Sequence, residues 1–123
     1  MNMYTCLYAD ADGESHFRDV EIEFRETDFA PPALPLNASA FGPAMQYGFL
    51  TAPPGWYGDW HPTPRRQFLF YLAGQTEIRV SDGEVRSFGP GDILLLEDTT
   101  GKGHVSRVVG SEEALSAVVQ LPG

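Results

Sequence analysis

A single cysteine, Cys6, stands in a chain of 123 residues, so no disulfide can form within it. No basic residue adjoins Cys6 in sequence to lower its pKa, which removes it as a nucleophilic thiolate. Basic residues are scarce as well. The balance of 8 Lys and Arg against 17 Asp and Glu leaves a net charge of −9, a field that repels phosphate backbones and anionic lipid. Nucleic acid and membranes are therefore excluded as partners. Long apolar runs are missing too: none, Ile93 to Leu96 included, approaches the roughly 20 residues that span a bilayer. The start, MNMYTCLYADADGE, has neither the basic nor the apolar segment of a secretion signal. Together with the lone cysteine this predicts a reducing, cytoplasmic setting. No segment sustains apolar residues at helical spacing, and there is no internal repeat or low-complexity tract.

What is abundant is punctuation. The 13 glycines and 10 prolines break regular structure often, because glycine admits positive φ and proline lacks a backbone donor. Between the breaks lie strand-like runs. Met3 to Tyr8 is short and apolar, and in DVEIEF the residues Val20, Ile22 and Phe24 alternate with Glu21 and Glu23, the period of a half-buried strand. FAPPALPLNASAFGP, from Phe29 to Pro43, reads as an extended surface loop, and Ala44 to Thr51 as a strand ended by the turn at Pro53 to Gly55. Further on, Asp82-Gly83 sits between strand-formers, a strong hairpin signal. Gly89 to Asp92 reverses the chain again before Ile93 to Leu96, and the runs His104 to Val109 and Ala114 to Leu121 close the pattern. Eight to ten short strands in one all-β domain spanning residues 1–123 leave a sandwich or a barrel.

The chemistry concentrates in two places. His61, Thr63 and Gln67 share the parity of one strand face if the strand is not bulged, and His104 opens a later strand behind a glycine-rich loop. Two imidazoles and an oxygen donor are a set that zinc, iron, nickel or manganese accepts. The structural alternative is a pocket whose histidines hydrogen-bond to neighbours or to a ligand. Arg65 has the same parity and is expected to clamp an anionic group, although it and Arg66 can equally serve surface ion pairs. Trp56 and Trp60 flank the segment and can sandwich a planar ligand or fill the rim. Tyr71, in the parity of Gln67, is a proton donor or a structural hydroxyl. Lys102 is placed at the pocket rim with Asp98 and Thr99. EDTTGKGH carries Gly-Lys but lacks the following Ser or Thr and the helix of a phosphate loop. His16 has no partner by spacing and is expected in solvent.

The spacing of GWYGDWHPTPRRQFLFYLAG, with Gly55, His61, Thr63, Gln67 and Gly74 at its fixed positions, resembles the first motif of the cupin superfamily, and GDILLLEDTTGKGH, with Gly91, Asp92 and His104, resembles the second. The motifs span 55–74 and 91–104. The resemblance implies a cupin-type double-stranded β-helix, a jelly-roll barrel of six to eight strands like those of small single-domain bacterial cupins, usually a homodimer, with a metal or ligand pocket between its sheets. By that resemblance His61, Gln67 and His104 are the metal ligands. Thr63 and Gln67 stand where the family carries His and Glu, and a neutral amide holds a divalent cation less firmly than a carboxylate. Two functions follow as expectations. One is a metal-assisted enzyme acting on a small polar or anionic metabolite; the other is a non-catalytic barrel that binds or senses a small molecule without metal. A third arrangement, acid–base chemistry by a histidine with Tyr71, requires a carboxylate beside the histidine, and Asp59 is the nearest in sequence. Phe68, Phe70 and Leu72 face away from Gln67, Leu69 and Tyr71, and this outer apolar face predicts a homodimer unless the N-terminal strands cover it.

Overall fold

The computed structural model describes residues 2–123 and places them in twelve strands. In chain order these are β1 (Met3–Ala9), β2 (Ser15–Glu21), β3 (Arg25–Thr27), β4 (Leu36–Ala38), β5 (Gln46–Ala52), β6 (Tyr57–His61), β7 (Gln67–Ala73), β8 (Gln75–Val80), β9 (Val85–Phe88), β10 (Ile93–Leu96), β11 (His104–Val109) and β12 (Ala114–Gln120). Among the described residues no helix is long and apolar enough to cross a membrane. One sheet has six strands in the order β2-β1-β10-β7-β12-β5, a second has four in the order β6-β11-β8-β9, and β3 pairs with β4 in a separate ribbon. The core joins the two larger sheets, since Leu7, Phe17, Tyr71, Leu94 and Leu96 from the first meet Ile78, Val80 and Phe88 from the second. The architecture is a double-stranded β-helix, but the two sheets do not close into a cylinder. The edges at β2, β5, β6 and β9 have no further ladder partner among the described residues.

Most strands lie where the alternation and the turn residues place them. The Asp82-Gly83 turn joins β8 to β9 as a hairpin with Thr76 opposite Phe88 and Arg79 opposite Val85. One strand is displaced. DVEIEF is expected to be a strand, yet β2 ends at Glu21 and Phe24 is exposed. The cause is register: the turn at Asp10 to Gly13 sets Ala9 opposite Ser15, so the ladder starts earlier and it is Ser15 and Phe17 that point into the core. The proline-rich segment is not wholly loop, because Leu36–Ala38 pairs with Arg25–Thr27.

Cross-strand pairing divides the six-stranded sheet into two chemically distinct faces. Gln46, Gln120 and Gln67 lie in one row, and Tyr47, Val119 and Phe68 in the next. Phe70 aligns with Ala117 and Phe49 in a row of the same outer face. Phe68 and Phe70 are half-buried in an outer groove whose walls include Tyr4, Ser39, Ala40 and Pro43. The chain's own N-terminal strand therefore covers part of the face expected to be open.

The two sheets are also tied at one end. His16, expected in solvent without a partner, stands between two carboxylates: Nε2 is 2.7 Å from Asp10 and Nδ1 is 2.8 Å from Asp82. Sequence spacing could not show this, because Asp82 belongs to the β8–β9 turn of the other sheet. Hydrogen bonds donated by the ring to Asp10 and Asp82 raise its pKa above the ordinary 6.5. Asp10 is held below the usual 3.8 by His16, and Asp82 below it by the backbone N–H of Glu84 and then by His16. The folded state thus favours the protonated ring. Its stabilisation is complete below 6.5 and is lost as pH rises through the higher value of the folded ring, while that of the carboxylates is present above 3.8 and is lost as pH falls through their lower folded values. The gap in urea midpoint between the wild type and His16→Gln is therefore expected to be widest between about pH 4 and about pH 6.5 and to narrow on the alkaline side. A gap that stays constant with pH would show that the clasp contributes nothing.

Candidate functional site

A cavity of about 350 Å³ opens between the two sheets, within the size range of small-molecule sites. Its polar lining comprises His61, Thr63, Gln67, Thr76, His104, Ser106 and Ser116; Trp56, Leu69, Tyr71, Ile78 and Leu96 contribute to the apolar remainder. The two histidines meet because β6 and β11 are antiparallel neighbours with His61 opposite His104. Their ring centroids are 4.6 Å apart. Gly103, at φ +73°, brings the backbone of the preceding loop so close that any Cβ would collide with the His61 carbonyl. Gly58 leaves the space in which the Trp56 and His61 rings lie.

Each imidazole is anchored at Nδ1. The carbonyl of Asp59 lies 2.5 Å from Nδ1 of His61. A carbonyl only accepts, so that nitrogen carries the proton and Nε2 of the neutral ring is an acceptor. Nδ1 of His104 is 2.6 Å from Oδ2 of Asp98, a carboxylate that also accepts a 2.7 Å bond from the Thr63 hydroxyl. Asp98 has no solvent exposure at all. Its own carbonyl accepts from the Thr63 backbone N–H at 2.9 Å, so the loop before β11 and the segment after β6 are locked together behind His104.

Asp98 is the residue that sequence reasoning misplaced. It was expected among the loop groups of the rim, and nothing in EDTTGKGH marks one acidic residue as internal; the pairing with Thr63 that draws it inward exists only in the fold. The carboxylate beside a histidine is accordingly Asp98, not Asp59, whose side chain caps the Trp60 N–H at 2.8 Å. Arg65 is exposed, lies outside the cavity wall and donates to the Met45 sulfur at 3.3 Å. Strand parity fails for it because β6 ends at His61 and β7 begins at Gln67 with a bend at Pro64 and Arg65 between them, so the chain is crossing from one sheet to the other. Arg66 pairs with Glu97 at 2.7 Å. Lys102 pairs with Glu14 and donates its backbone N–H to Gly13 at 2.9 Å, on the rim beside Trp60 and Ser81 and away from the main cavity. Trp60 belongs to the surface there, and Trp56 is the tryptophan in the cavity. Tyr71 is in the wall, stacked on Phe88 at 5.3 Å. Burial, then the charge of Asp92, raises its hydroxyl pKa well above the usual 10, so it stays protonated.

No protein-family model matches the sequence, and no curated protein does. Solved structures do. An RmlC-like cupin family protein with a double-stranded β-helix fold from Methanocaldococcus jannaschii is similar over 84% of this chain and 92% of its own, at 16% identity and a TM-score of 0.54. The fold is the cupin fold. The cupin domain of Schizosaccharomyces pombe Cnp3 matches over 99% of this chain and 86% of its own, at 13% identity and a TM-score of 0.51. A protein of unknown function from Rhizobium leguminosarum matches over 63% and 69%, at 26% identity and a TM-score of 0.52.

The cupin fold makes a metal at this pocket an obvious question, and the donor set answers poorly. Among the described residues no three His, Cys, Asp or Glu side chains are grouped to hold an ion. Gln67, the third ligand that the motif spacing suggests, has its oxygen engaged in a glutamine ladder: Gln120 donates to Gln67 Oε1 at 3.0 Å and Gln46 to Gln120 Oε1 at 2.5 Å. Asp98 lies behind His104 on Nδ1. Two imidazoles remain, fewer than the three protein ligands of an open catalytic metal site. The residues present do not fit the ion that the motif spacing implies. Truncating Asp98 to Ala leaves a buried imidazole N–H and a buried hydroxyl without their acceptor, an expected loss of about 2–5 kcal/mol. Thr63→Val removes one donor and is expected to cost about 1–2 kcal/mol. Chemical denaturation checks both, and an Asp98→Ala protein as stable as the wild type would contradict this account of the site.

Proposed function

We propose that the protein binds a small, mainly apolar molecule with a neutral head that donates hydrogen bonds, such as a hydroxyl or primary amide. The observation that carries this reading is the anchoring of both imidazoles at Nδ1, which leaves two Nε2 acceptors at one end of an otherwise largely apolar cavity. No lysine or arginine lines that cavity among the described residues, so an anionic ligand would find no counter-charge there. Trp56 is in the wall and Trp60 is not, which provides an internal reporter. Titration with small alcohols and primary amides of matching size is expected to change tryptophan fluorescence in the wild type and in Trp60→Phe but not in Trp56→Phe. His61→Ala is expected to weaken binding about tenfold, the worth of one hydrogen bond of about 1.4 kcal/mol. Binding of carboxylates or phosphates in preference to neutral compounds would overturn the reading. So would a divalent ion retained stoichiometrically by untagged protein and lost in both His61→Ala and His104→Ala, which is the outcome a metal-assisted enzyme requires.

The Asp98–His104 pair favours a second reading, in which the cavity is catalytic. A histidine whose Nδ1–H is fixed by a buried carboxylate presents Nε2 as an oriented base, and Tyr71, kept protonated by burial, is a hydroxyl donor in the same wall. Exchange of a ligand C–H for deuterium in heavy water, abolished in His104→Gln while binding persists, separates this reading from binding alone.

A further inference from the structure

The end of the cavity away from the histidines carries hydroxyls that the fold itself does not use. Tyr71 and Ser116 are register partners on β7 and β12. Thr76 follows shortly after Gly74, the residue that joins β7 to β8. Tyr71 stacks on Phe88, which stands opposite Thr76 in the β8–β9 ladder, so hydroxyl-bearing side chains from both sheets converge at this end. All three line the cavity, with exposures of 5% for Tyr71 and 8% for Thr76 and Ser116. The buried hydroxyls of Thr63 and Ser15 each donate a 2.7 Å hydrogen bond within the protein. Those of Tyr71, Thr76 and Ser116 make none among the described residues, yet no side-chain oxygen there is both sealed and unpartnered. They are therefore open to the space beside them, which is the cavity.

The ladders set the distance to the histidines. Gln67 pairs with Gln120 and His104 with Val80 at one end; Tyr71 pairs with Ser116 and Val108 with Thr76 at the other. In both sheets the two ends are thus about four residues of strand apart, or about 13 Å. Leu69, Ile78 and Ser106 occupy the interval.

We propose that Tyr71, Thr76 and Ser116 form a second polar subsite, and that the ligand is a neutral molecule with two polar ends. Its head meets the imidazoles, its apolar body crosses the interval, and a hydroxyl or carbonyl oxygen at its far end sits among the three hydroxyls. The subsite rests on the neutral-ligand reading of the histidine end, because one molecule must reach both. An alkyl end placed there would strip water from three hydroxyls and give them no partner, whereas an oxygen can both accept from and, as a hydroxyl, donate to them. No lysine or arginine lines this end, and the charge of Asp92, near enough to raise the Tyr71 pKa, repels an anion.

Terminal diols from butanediol to decanediol, each set against the mono-alcohol of equal chain length, test the subsite through Trp56 fluorescence in Trp60→Phe protein. At the length that reaches both ends the diol is expected to bind about fivefold more tightly than its mono-alcohol, the worth of one further hydrogen bond. Ser116→Ala and Thr76→Val are each expected to reduce that advantage. Without ligand, Thr76→Val is expected to keep the wild-type urea midpoint, in contrast to Thr63→Val, because its hydroxyl has no partner in the fold. Mono-alcohols that bind as tightly as their diols at every length overturn the subsite and leave the neutral-ligand reading standing. A diol advantage that survives both substitutions does the same, as does a Thr76→Val midpoint that falls as far as that of Thr63→Val. If neither series binds, both readings are overturned.

Discussion

A carboxylate shut away from water has to be held by donors on more than one side, and Asp98 is held by the Thr63 hydroxyl and by Nδ1 of His104. Those two partners belong to different parts of the chain. Thr63 lies in the crossing that carries the chain from the four-stranded sheet to the six-stranded one, and His104 opens β11. The requirement to satisfy one buried charge therefore fixes the path of the crossing, the position of the loop before β11 and the orientation of the imidazole that faces the cavity. Among the described residues no buried side-chain nitrogen or oxygen lacks a partner. That condition is what allows a charge at zero exposure to persist.

The periodic parts of the fold were legible in the sequence. Asp82-Gly83, the Gly-Pro-Gly-Asp turn and the alternation of Gln67 to Leu72 act locally, and strand β7 presents Gln67, Leu69 and Tyr71 to the cavity and Phe68 and Phe70 to the opposite face as parity requires. The site was legible only where motif spacing reached it: His61, Thr63, Gln67, Tyr71 and His104 all lie in the cavity wall. Arg65 was lost because parity holds only along a continuous strand, and the bend at Pro64 and Arg65 interrupts it. Lys102 and His16 have partners that spacing did not show, for another reason. Their partners, Glu14 for one and Asp82 for the other, approach only when the turns of two sheets pack at the same end, and no local pattern encodes that approach.

Cys6 shows how the same acidic chain keeps a potentially reactive group silent. Burial and a hydrogen bond to Glu97 push its thiol up to about 12, while Arg66 and Cys6, donating to Glu97, outweigh the burial that would otherwise raise that carboxyl. The arginine that stands one residue before Gln67 thus has its charge spent on the outer side of the sheet, at 2.7 Å from Glu97. With Arg65 exposed as well, no lysine or arginine lines the cavity among the described residues, and this is the chemical basis on which we propose a neutral ligand.

Every strand in the six-stranded sheet has two faces of opposite use, so a slip of one residue would turn the cavity wall outward and bring the outer phenylalanines in. The glutamine row opposes such a slip. Gln46, Gln120 and Gln67 come from three successive strands, and their side-chain amides are linked Gln46 to Gln120 to Gln67, a chain that forms only when β5, β12 and β7 are in the observed register. Gln67 therefore does more than offer a polar group to the cavity. A carboxylate at this position could accept from Gln120 but would leave a charge at the wall of an apolar cavity without a cation among its lining residues, whereas the amide completes a neutral ladder. The neutral amide is thus satisfied within the wall itself, through Gln120.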